Sequence, residues 1–543
     1  MQQKSSTLAP FKSQAFRSLW AATLVSNLGG LIQTVGAGWI MTLISTSHSM
    51  VGLVQGANTL PVVIFSLLAG ALADNFNRRQ IMITAQLMMM AVSVLLAVLT
   101  CFDLLTPWLL LAFTFLIGCG SALYNPPWQA TVGDIVPRED ISAAVTLNSV
   151  GFNLMRSVGP ATGGAIVAAF GGAAAFVVNA FSYIPLLGAL FFWKPNYANN
   201  GLPRERLVAA MSDGLRYVFM SPHLLNIMTR AFMFGLGAIS VLALLPIIAH
   251  EKLNGGALIY GTLLGSFGVG AIVAGIINSW VRRRFPSEAI VAGSFVGYAL
   301  SCLLLALSDS SIIAHIVLFP AGMCWVLALS LFNVSVQLST PRWVVSRALA
   351  LYQTSSFGGM AVGSWLWGSL ADNYSPVIAL YICAAFLIVG ALMGFKFTIF
   401  EIPSINLDPL DQFREPELHL DLQARSGPIM ILIDYEIKDE NIPEFLETMS
   451  LRRRIRLRDG ARQWTLLRDL EHPNRWVETY HMPTWVDYLR HNRRRTKADA
   501  DVTEKLRKLS EIPEGMRVHR MIERHTVPEA NQIQVKHSAH HLH

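Results

Sequence analysis

An apolar run of membrane-spanning length, Met50 to Ala73, ends in Asp74, and Arg78 and Arg79 follow before a second apolar run begins. A helix needs about 20 such residues to cross a bilayer core of about 30 Å. Arginines beside it sit in water and collect on the cytoplasmic side. Gly70 lets a neighbouring helix come close. Asp74 lies at the membrane boundary, where it can pair with a cation or a helix N-terminus. The stretch Gly70-Ala-Leu-Ala-Asp74-Asn-Phe-Asn-Arg78-Arg79 therefore reads as a hinge between two membrane helices, with charge available to lock or release it.

Composition agrees. Of 543 residues, 53% are hydrophobic and 14% charged, against about 25% charged in soluble domains. Charges are sparse before Phe400 and frequent after Glu401. The net charge of +7 is that of basic loops and a soluble domain, so no nucleic-acid partner is expected. The five cysteines lie in or beside apolar segments without a CxxC pair, so they read as apolar residues and no metal site or cofactor is expected. The polar start, Met1 to Phe11, is too short for a cleavable signal.

Twelve apolar segments follow one another: 17–44, 50–73, 80–102, 106–132, 142–170, 173–194, 224–249, 257–281, 286–308, 311–337, 346–371 and 376–399. Basic residues fall on alternate connections: Lys4, Lys12 and Arg17; Arg78 and Arg79; Arg138; Lys194, Arg204 and Arg206; Arg282 to Arg284; Arg342 and Arg347; and Lys396. The other connections hold little beyond His48, Asp103, Lys252, Asp309 and Asp372. Both termini are thus expected in the cytoplasm of a cell whose inner membrane holds the chain.

The halves repeat. Arg78-Arg79 corresponds to Arg282-Arg283, Pro137-Arg138 to Pro341-Arg342, Leu147 to Leu351, Gly159 to Gly363 and Gly164 to Gly368, always 204 residues apart. One offset for loops and helices alike marks two parallel six-helix halves around a midplane site. The copy is incomplete: Asp74 recurs as Asn278 and Gly70 as Ala274. A locking acid would belong to the first half alone.

Gly70-x-Leu72-x-Asp74-x-x-x-Arg78-Arg79 resembles the signature between the second and third helices of the major facilitator superfamily. Gly159-Pro160-Ala-Thr-Gly163-Gly164 resembles the antiporter-type motif of its exporters. Leu123-Tyr-Asn-Pro-Pro127, Val136-Pro-Arg-Glu-Asp140 and Asn179-Ala-Phe-Ser-Tyr183 are similar to the branch holding the enterobactin exporter and macrolide efflux proteins. The resemblance covers about residues 12–400. It implies a secondary-active exporter of amphipathic, drug-like or siderophore-like molecules, driven by an ion gradient, with the proton expected. Two departures stand out. Asn77 replaces the usual glycine, and Asn tolerates the left-handed turn that a glycine would serve. The fourth segment, Phe113-Thr-Phe-Leu-Ile-Gly118-Cys-Gly120, lacks the arginine of proton-coupled antiporters. Alternatives are an importer of organic solutes, and a membrane-tethered enzyme or sensor acting through the soluble domain.

The gating residues are then Gly70, Asp74, Arg78 and Arg79. Gly159, Pro160, Gly163 and Gly164 form a close, kinked seal between halves. Arg156 lies about 14 residues into its segment, about 20 Å along the axis, where a charge normally faces a cavity; a structural arginine bonded to carbonyls is the other reading. Further cavity candidates are Asn27, Gln33, Asn58, Asn153, Asn179, Arg230, Asn333, Gln337 and Gln353, with Trp39, Phe152, Trp325, Trp365 and Trp367 as aromatic lining.

The chain divides into an N-terminal segment (1–16), a first half (17–194), a connector (195–223), a second half (224–399), a linker (400–428), a soluble domain (429–526) and a disordered tail (527–543). The connector carries Leu207, Met211, Leu215 and Val218 at helical spacing. The soluble domain reads as βαββαβ, a ferredoxin-like α+β order. Trp485 to Thr496 and Arg458-Asp-Gly460-Ala are similar to tail domains of exporters in this branch. Those resemble antibiotic-biosynthesis monooxygenases, which implies a homodimer through this domain. Trp464, Trp476, Trp485, His481 and His491 could line a pocket there. A structural or regulatory use is the favoured reading, since no phosphate loop, metal spacing or nucleophile elbow is present. Arg452 to Arg458 and Arg493 to Arg495 read as a basic face toward anionic lipid, or as a solvated helix face.

Overall fold

The computed structural model describes residues 9–137, 140–194, 207–341, 343–399, 425–512 and 516–523, with several positions between 410 and 423. The side chains of some helical residues, Asp74, Asp134 and Asn153 among them, and the surroundings of Gly70 lie outside that description. So do Arg138, Arg204, Arg206, most of the linker and the tail.

The described chain forms two compact units. The first contains helices α1 (Gln14–Ile44), α2 (His48–Asn75), α3 (Arg78–Cys101), α4 (Pro107–Ile135), α5 (Ile141–Phe170) and α6 (Gly172–Phe192). After the connector helix α7 (Leu207–Phe219) come α8 (Pro222–Ile247), α9 (Ala257–Arg284), α10 (Ser287–Leu307), α11 (Ser311–Leu338), α12 (Val345–Asn373) and α13 (Pro376–Leu392). Each apolar segment read from the sequence falls on one of these helices. Among the described residues, nine are long and apolar enough to cross a membrane; the remaining three are α2, α5 and α12.

Local chemistry sets the ends. Ser13, Thr106 and Ser375 cap α1, α4 and α13 by accepting from backbone N–H groups of the first turn, which would otherwise lack partners. Asn77 does the same for α3, accepting from Arg79 and Gln80 N–H, with φ −67°. This corrects the expected left-handed turn: the Asn is here as a cap, which a glycine could not supply through a side chain. Gly171 alone joins α5 to α6, at φ +80°, a conformation that favours glycine.

The second unit joins the soluble domain to residues 208–222 and 337–348. Its sheet has the order β2-β3-β1-β4, from β1 (Ile429–Glu436), β2 (Arg462–Arg468), β3 (Arg475–Met482) and β4 (Arg517–Ile522). All three pairings are antiparallel, with Ile433 opposite Glu478 and Val518. Helices α14 (Ile442–Arg458), α15 (Trp485–Arg493) and α16 (Lys497–Leu509) complete it. Ile429, Ile431, Ile433 and Tyr435 alternate inward from β1 onto Phe445, Met449, Tyr480, Tyr488 and Leu506.

Candidate functional site: the contact between the two halves

Glycines fix how the halves of the first unit meet. A Cβ on Gly164 of α5 would lie 2.7 Å from Gly261 Cα of α9. A Cβ on Gly368 of α12 would lie 2.9 Å from Ser49 Cα of α2. Real Cβ contacts are longer, so these backbones approach in a way only glycine permits. The two positions are the 204-residue repeat partners, and each touches the opposite half. The helix pairing repeats as well: Gly159 and Gly163 pack on Leu31 and Ile32 of α1, while Gly359 and Gly363 pack on Phe232 and Leu236 of α8, with Gly159 and Gly363 the pair that is 204 apart. Of the expected seal, Gly164 therefore faces the other half, and Gly159 and Gly163 hold α5 to its own half.

These contacts lie toward the end of the bundle whose connections lack arginine. Trp39 of α1 stacks on Tyr260 of α9 at 6.4 Å and meets His250 edge-on at 5.6 Å. At the start of α2, Asp372 of α12 accepts from Ser47 Oγ (2.9 Å), Ser49 N–H (2.9 Å), His48 N–H and Ser49 Oγ. A carboxylate there meets both the orphan N–H groups and the positive end of the helix dipole. Four donors outweigh partial burial and lower its pKa. His48 Nε2 lies 2.9 Å from Glu251 Oε1, and its Nδ1 3.2 Å from the Ala371 carbonyl. Sequence reading missed this cluster as a site. The partners are 203 and 323 residues apart, and their one sequence signal was being rare charges in arginine-poor connections.

At mid-depth the Arg156 guanidinium lies 5.3 Å from the centre of the Trp325 ring, α5 against α11. Among the described residues no acceptor is bonded to it, so its donors remain for something else. Asn27, Asn58, Asn333 and Gln353 are half-buried, and Gln337 is exposed. Other cavity candidates sit elsewhere. Asn179 and Gln33 are buried and bonded to each other, with Ser93 and Tyr183, gluing α1, α3 and α6. Arg230 is fully buried, donates to Glu288 Oε1 at 3.0 Å and lies over Phe295. Glu288 in turn accepts from Ile399 N–H, so this pair ties α8 and α10 to the end of the bundle. Trp367 is buried, its indole donating to Leu236 O, and Trp365 is exposed. Arg79 of the gating motif donates to Leu190 and Phe191 carbonyls at the C-terminus of α6. It thus fastens α3 to α6.

Of the basic face expected in the soluble domain, Arg453, Arg454 and Arg493 are exposed, and two other arginines are turned inward. Arg452 and Arg456 are buried and both donate to Glu478, at 2.8 and 3.2 Å, which also takes Tyr435 Oη and Trp464 Nε1. His491 is buried, its Nε2 accepting from Arg456 and its Nδ1–H facing Asp459 O. Burial and that arginine push its pKa far down. Trp476 and Trp485 belong to the core. Beside Arg452, Arg456 and Arg495, His491 borders a cavity of about 10 Å³, room for no more than a water. Within the same unit, Arg494 donates to Asp213 of α7 at 2.7 Å and lies 4.2 Å over Trp343, and Arg458 lies over Tyr217.

The profile of the family described as transmembrane secretion effector matches residues 5–527. An uncharacterised MFS-type transporter of Bacillus subtilis is 24% identical over 409 residues, 70% of this chain and 93% of that one. The staphyloferrin A transporter of Staphylococcus aureus is 25% identical, covering 53% and 71%. Macrolide efflux protein A of Streptococcus pyogenes is 22% identical, covering 54% and 77%. Among solved structures, a bacterial homologue of the human lysosomal transporter Spinster superposes with TM-score 0.58 at 15% identity, over 72% of this chain and 97% of that one. A POT peptide transporter gives 0.59 at 12%, over 71% and 95%. The close glycine contact between two repeated halves thus belongs to a multi-pass membrane transporter, and the chain is a member of the transmembrane secretion effector family of the major facilitator transporters.

Proposed function

We propose that this protein is a secondary-active exporter of amphipathic small molecules, drug-like or siderophore-like, working by alternating access. One observation carries the reading: the halves close on one another through repeat-related glycines at one end of the bundle. A transporter sealed at one end by two symmetric contacts can exchange that seal for another by rocking about a midplane site. All twelve helices span the bacterial inner membrane, with both termini and the soluble domain in the cytoplasm, so the sealed, arginine-poor end faces outward. Gly70, Asp74, Arg78 and Arg79 gate the inner end. Arg156 over Trp325 presents a planar, forked cation with an aromatic support, suited to an anionic or catecholate-like group. The proton is the expected driving ion. The names of the efflux and siderophore-transporting relatives support export of this substrate class.

The soluble domain is read as ferredoxin-like, which its β2-β3-β1-β4 order supports, and as regulatory or dimer-forming rather than catalytic, which the packed state of His491 and the tryptophans supports. Accumulation of a panel of dyes, macrolides and catecholate siderophores in cells with and without the protein tests the reading. Lower accumulation of at least one class is expected. Equal accumulation across the panel, or higher accumulation with the protein, would refute export.

A further inference from the structure

We propose that His48 is a proton-binding site whose occupancy closes the outward end of the transporter. The argument starts from hydrogen-bond inventory. A neutral imidazole carries one N–H and one acceptor nitrogen; only the imidazolium carries two N–H groups. In the closed arrangement both ring nitrogens of His48 face acceptors: the Glu251 carboxylate at 2.9 Å and the Ala371 carbonyl at 3.2 Å. Neither can donate. A neutral His48 would leave one lone pair against an oxygen, whichever tautomer it took. The arrangement is satisfied only when the ring is charged.

The site also spans the moving parts. His48 begins α2 in the first half, ahead of the second apolar segment, while Glu251, Ala371 and Asp372 belong to the second half. Separating the halves leaves His48 in water, with no oxygen demanding a second proton. Closure therefore takes up a proton and opening releases it.

The surrounding charges agree. From α12, Asp372 Oδ1 lies 3.8 Å from Nδ1, already held by donors of the α2 first turn. After α8, Glu251 faces His48, His250 is turned to Trp39, and Lys252 is turned to the Leu305 and Ala306 carbonyls and Asp309. No cation among these faces His48. Burial by itself would lower its pKa; the hydrogen bonds to Glu251 and Ala371 and the two carboxylates outweigh it, and the pKa is raised above the ordinary 6.5. A raised pKa in the closed form means that closure is favoured in full below about 6.5 and loses this support as pH rises through the raised value. Because the proton enters and leaves at the same end, the site biases the cycle by outside pH without driving it.

This inference rests on the transporter reading for its outward sense. The test uses the full chain in nanodiscs, in a variant without native cysteines, carrying spin labels at Thr46 and Tyr374. The closed-to-open ratio read from the distance distribution is expected to rise as pH falls from 8 to 5. One bound proton limits the slope to about tenfold per pH unit. His48→Gln should abolish the dependence, and Glu251→Gln should move its midpoint down. A pH-independent ratio in the parent, or an unchanged titration in His48→Gln, would overturn the proposal. Labelling of Thr46→Cys in intact cells by a membrane-impermeant thiol reagent separates the two readings. Failure to label refutes the outward orientation while leaving the titration result standing on its own.

Discussion

Replacing Glu478 by Gln removes one charge and almost no volume, at a site where the structure allows the cost to be worked out. Glu478 is fully buried and accepts from Arg452, Arg456, Tyr435 and Trp464. Burial alone would raise its pKa; the two guanidinium groups beside it outweigh burial and hold it at about 2, from 4.5. At 1.36 kcal/mol per unit, that displacement corresponds to about 3 kcal/mol. Breaking a buried pair from one side costs about 3–5 kcal/mol by a separate route, since the partner charge is left uncompensated. The two agree. An amide would also turn an NH₂ toward an arginine donor. Hydrogen exchange on the full chain reads the effect directly, because β3 and its neighbours β1 and β2 must open together. Protection of their amides should fall by about two to three powers of ten in Glu478→Gln, at 1.4 kcal/mol per tenfold. The sign with pH follows from a lowered carboxyl: the stabilisation is complete above about 4.5 and is lost as pH falls toward about 2. Wild-type protection should be level from pH 8 to about 6.5, decline below that because His491 is held neutral only in the folded domain, and decline further below about 4.5 as Glu478 takes up its proton. Unchanged protection in the variant at pH 7 would refute the reasoning, since it would mean the arginines are neutralised by something other than Glu478.

Gly164→Val places branched carbons against the Gly261 backbone; overpacking of about 1–3 kcal/mol should shift the label distances at the arginine-poor end toward separation and reduce efflux at unchanged protein level. Arg156→Ala should alter substrate range or efflux rate while leaving thermal stability of the purified protein within about 1 kcal/mol, as it has no described ion-pair partner to orphan; identical susceptibility across the panel would remove it from the substrate path. Arg494→Ala leaves Asp213 with Arg216 as its one remaining described cation and Trp343 without its cover, a loss of about 1–2 kcal/mol. Faster exchange or proteolysis in α7 than in α1 of the same protein checks it.

What could be read before the structure was whatever depends on period and offset. The helices followed from apolar length, and the pairing of Gly164 with Gly368 from a 204-residue repeat that the contacts then obeyed. The strands of the soluble sheet followed from the βαββαβ order read in that domain. What could not be read was which long-range partner each polar group meets. Arg452 and Arg456 stand four apart, the spacing of a solvated helix face, and nothing local says that Glu478 waits beneath them. Arg230 looked like a cavity residue because Glu288 is 58 positions away. Asn179 looked free to bind a solute because Gln33 and Ser93 come from other helices. His48, Glu251 and Asp372 failed for the same reason in reverse: each alone is one polar residue near an arginine-poor connection, with its partner hundreds of positions away.

The second unit is assembled from three separate stretches, 208–222, 337–348 and the soluble domain. Tyr217 and Trp343 stack edge-on at 5.7 Å beneath Arg458 and Arg494. During synthesis the first two stretches leave the ribosome well before the third exists. Their aromatic rings must therefore wait, exposed to water or held by a chaperone, until the last fifth of the chain is made. A chain ending near residue 400 would keep helices α1 to α13 and leave the stacked pair Tyr217 and Trp343 without Arg458 and Arg494. Deleting the soluble domain is therefore expected to lower the steady-state level of the protein, and equal levels of the full chain and a 1–400 chain would refute this.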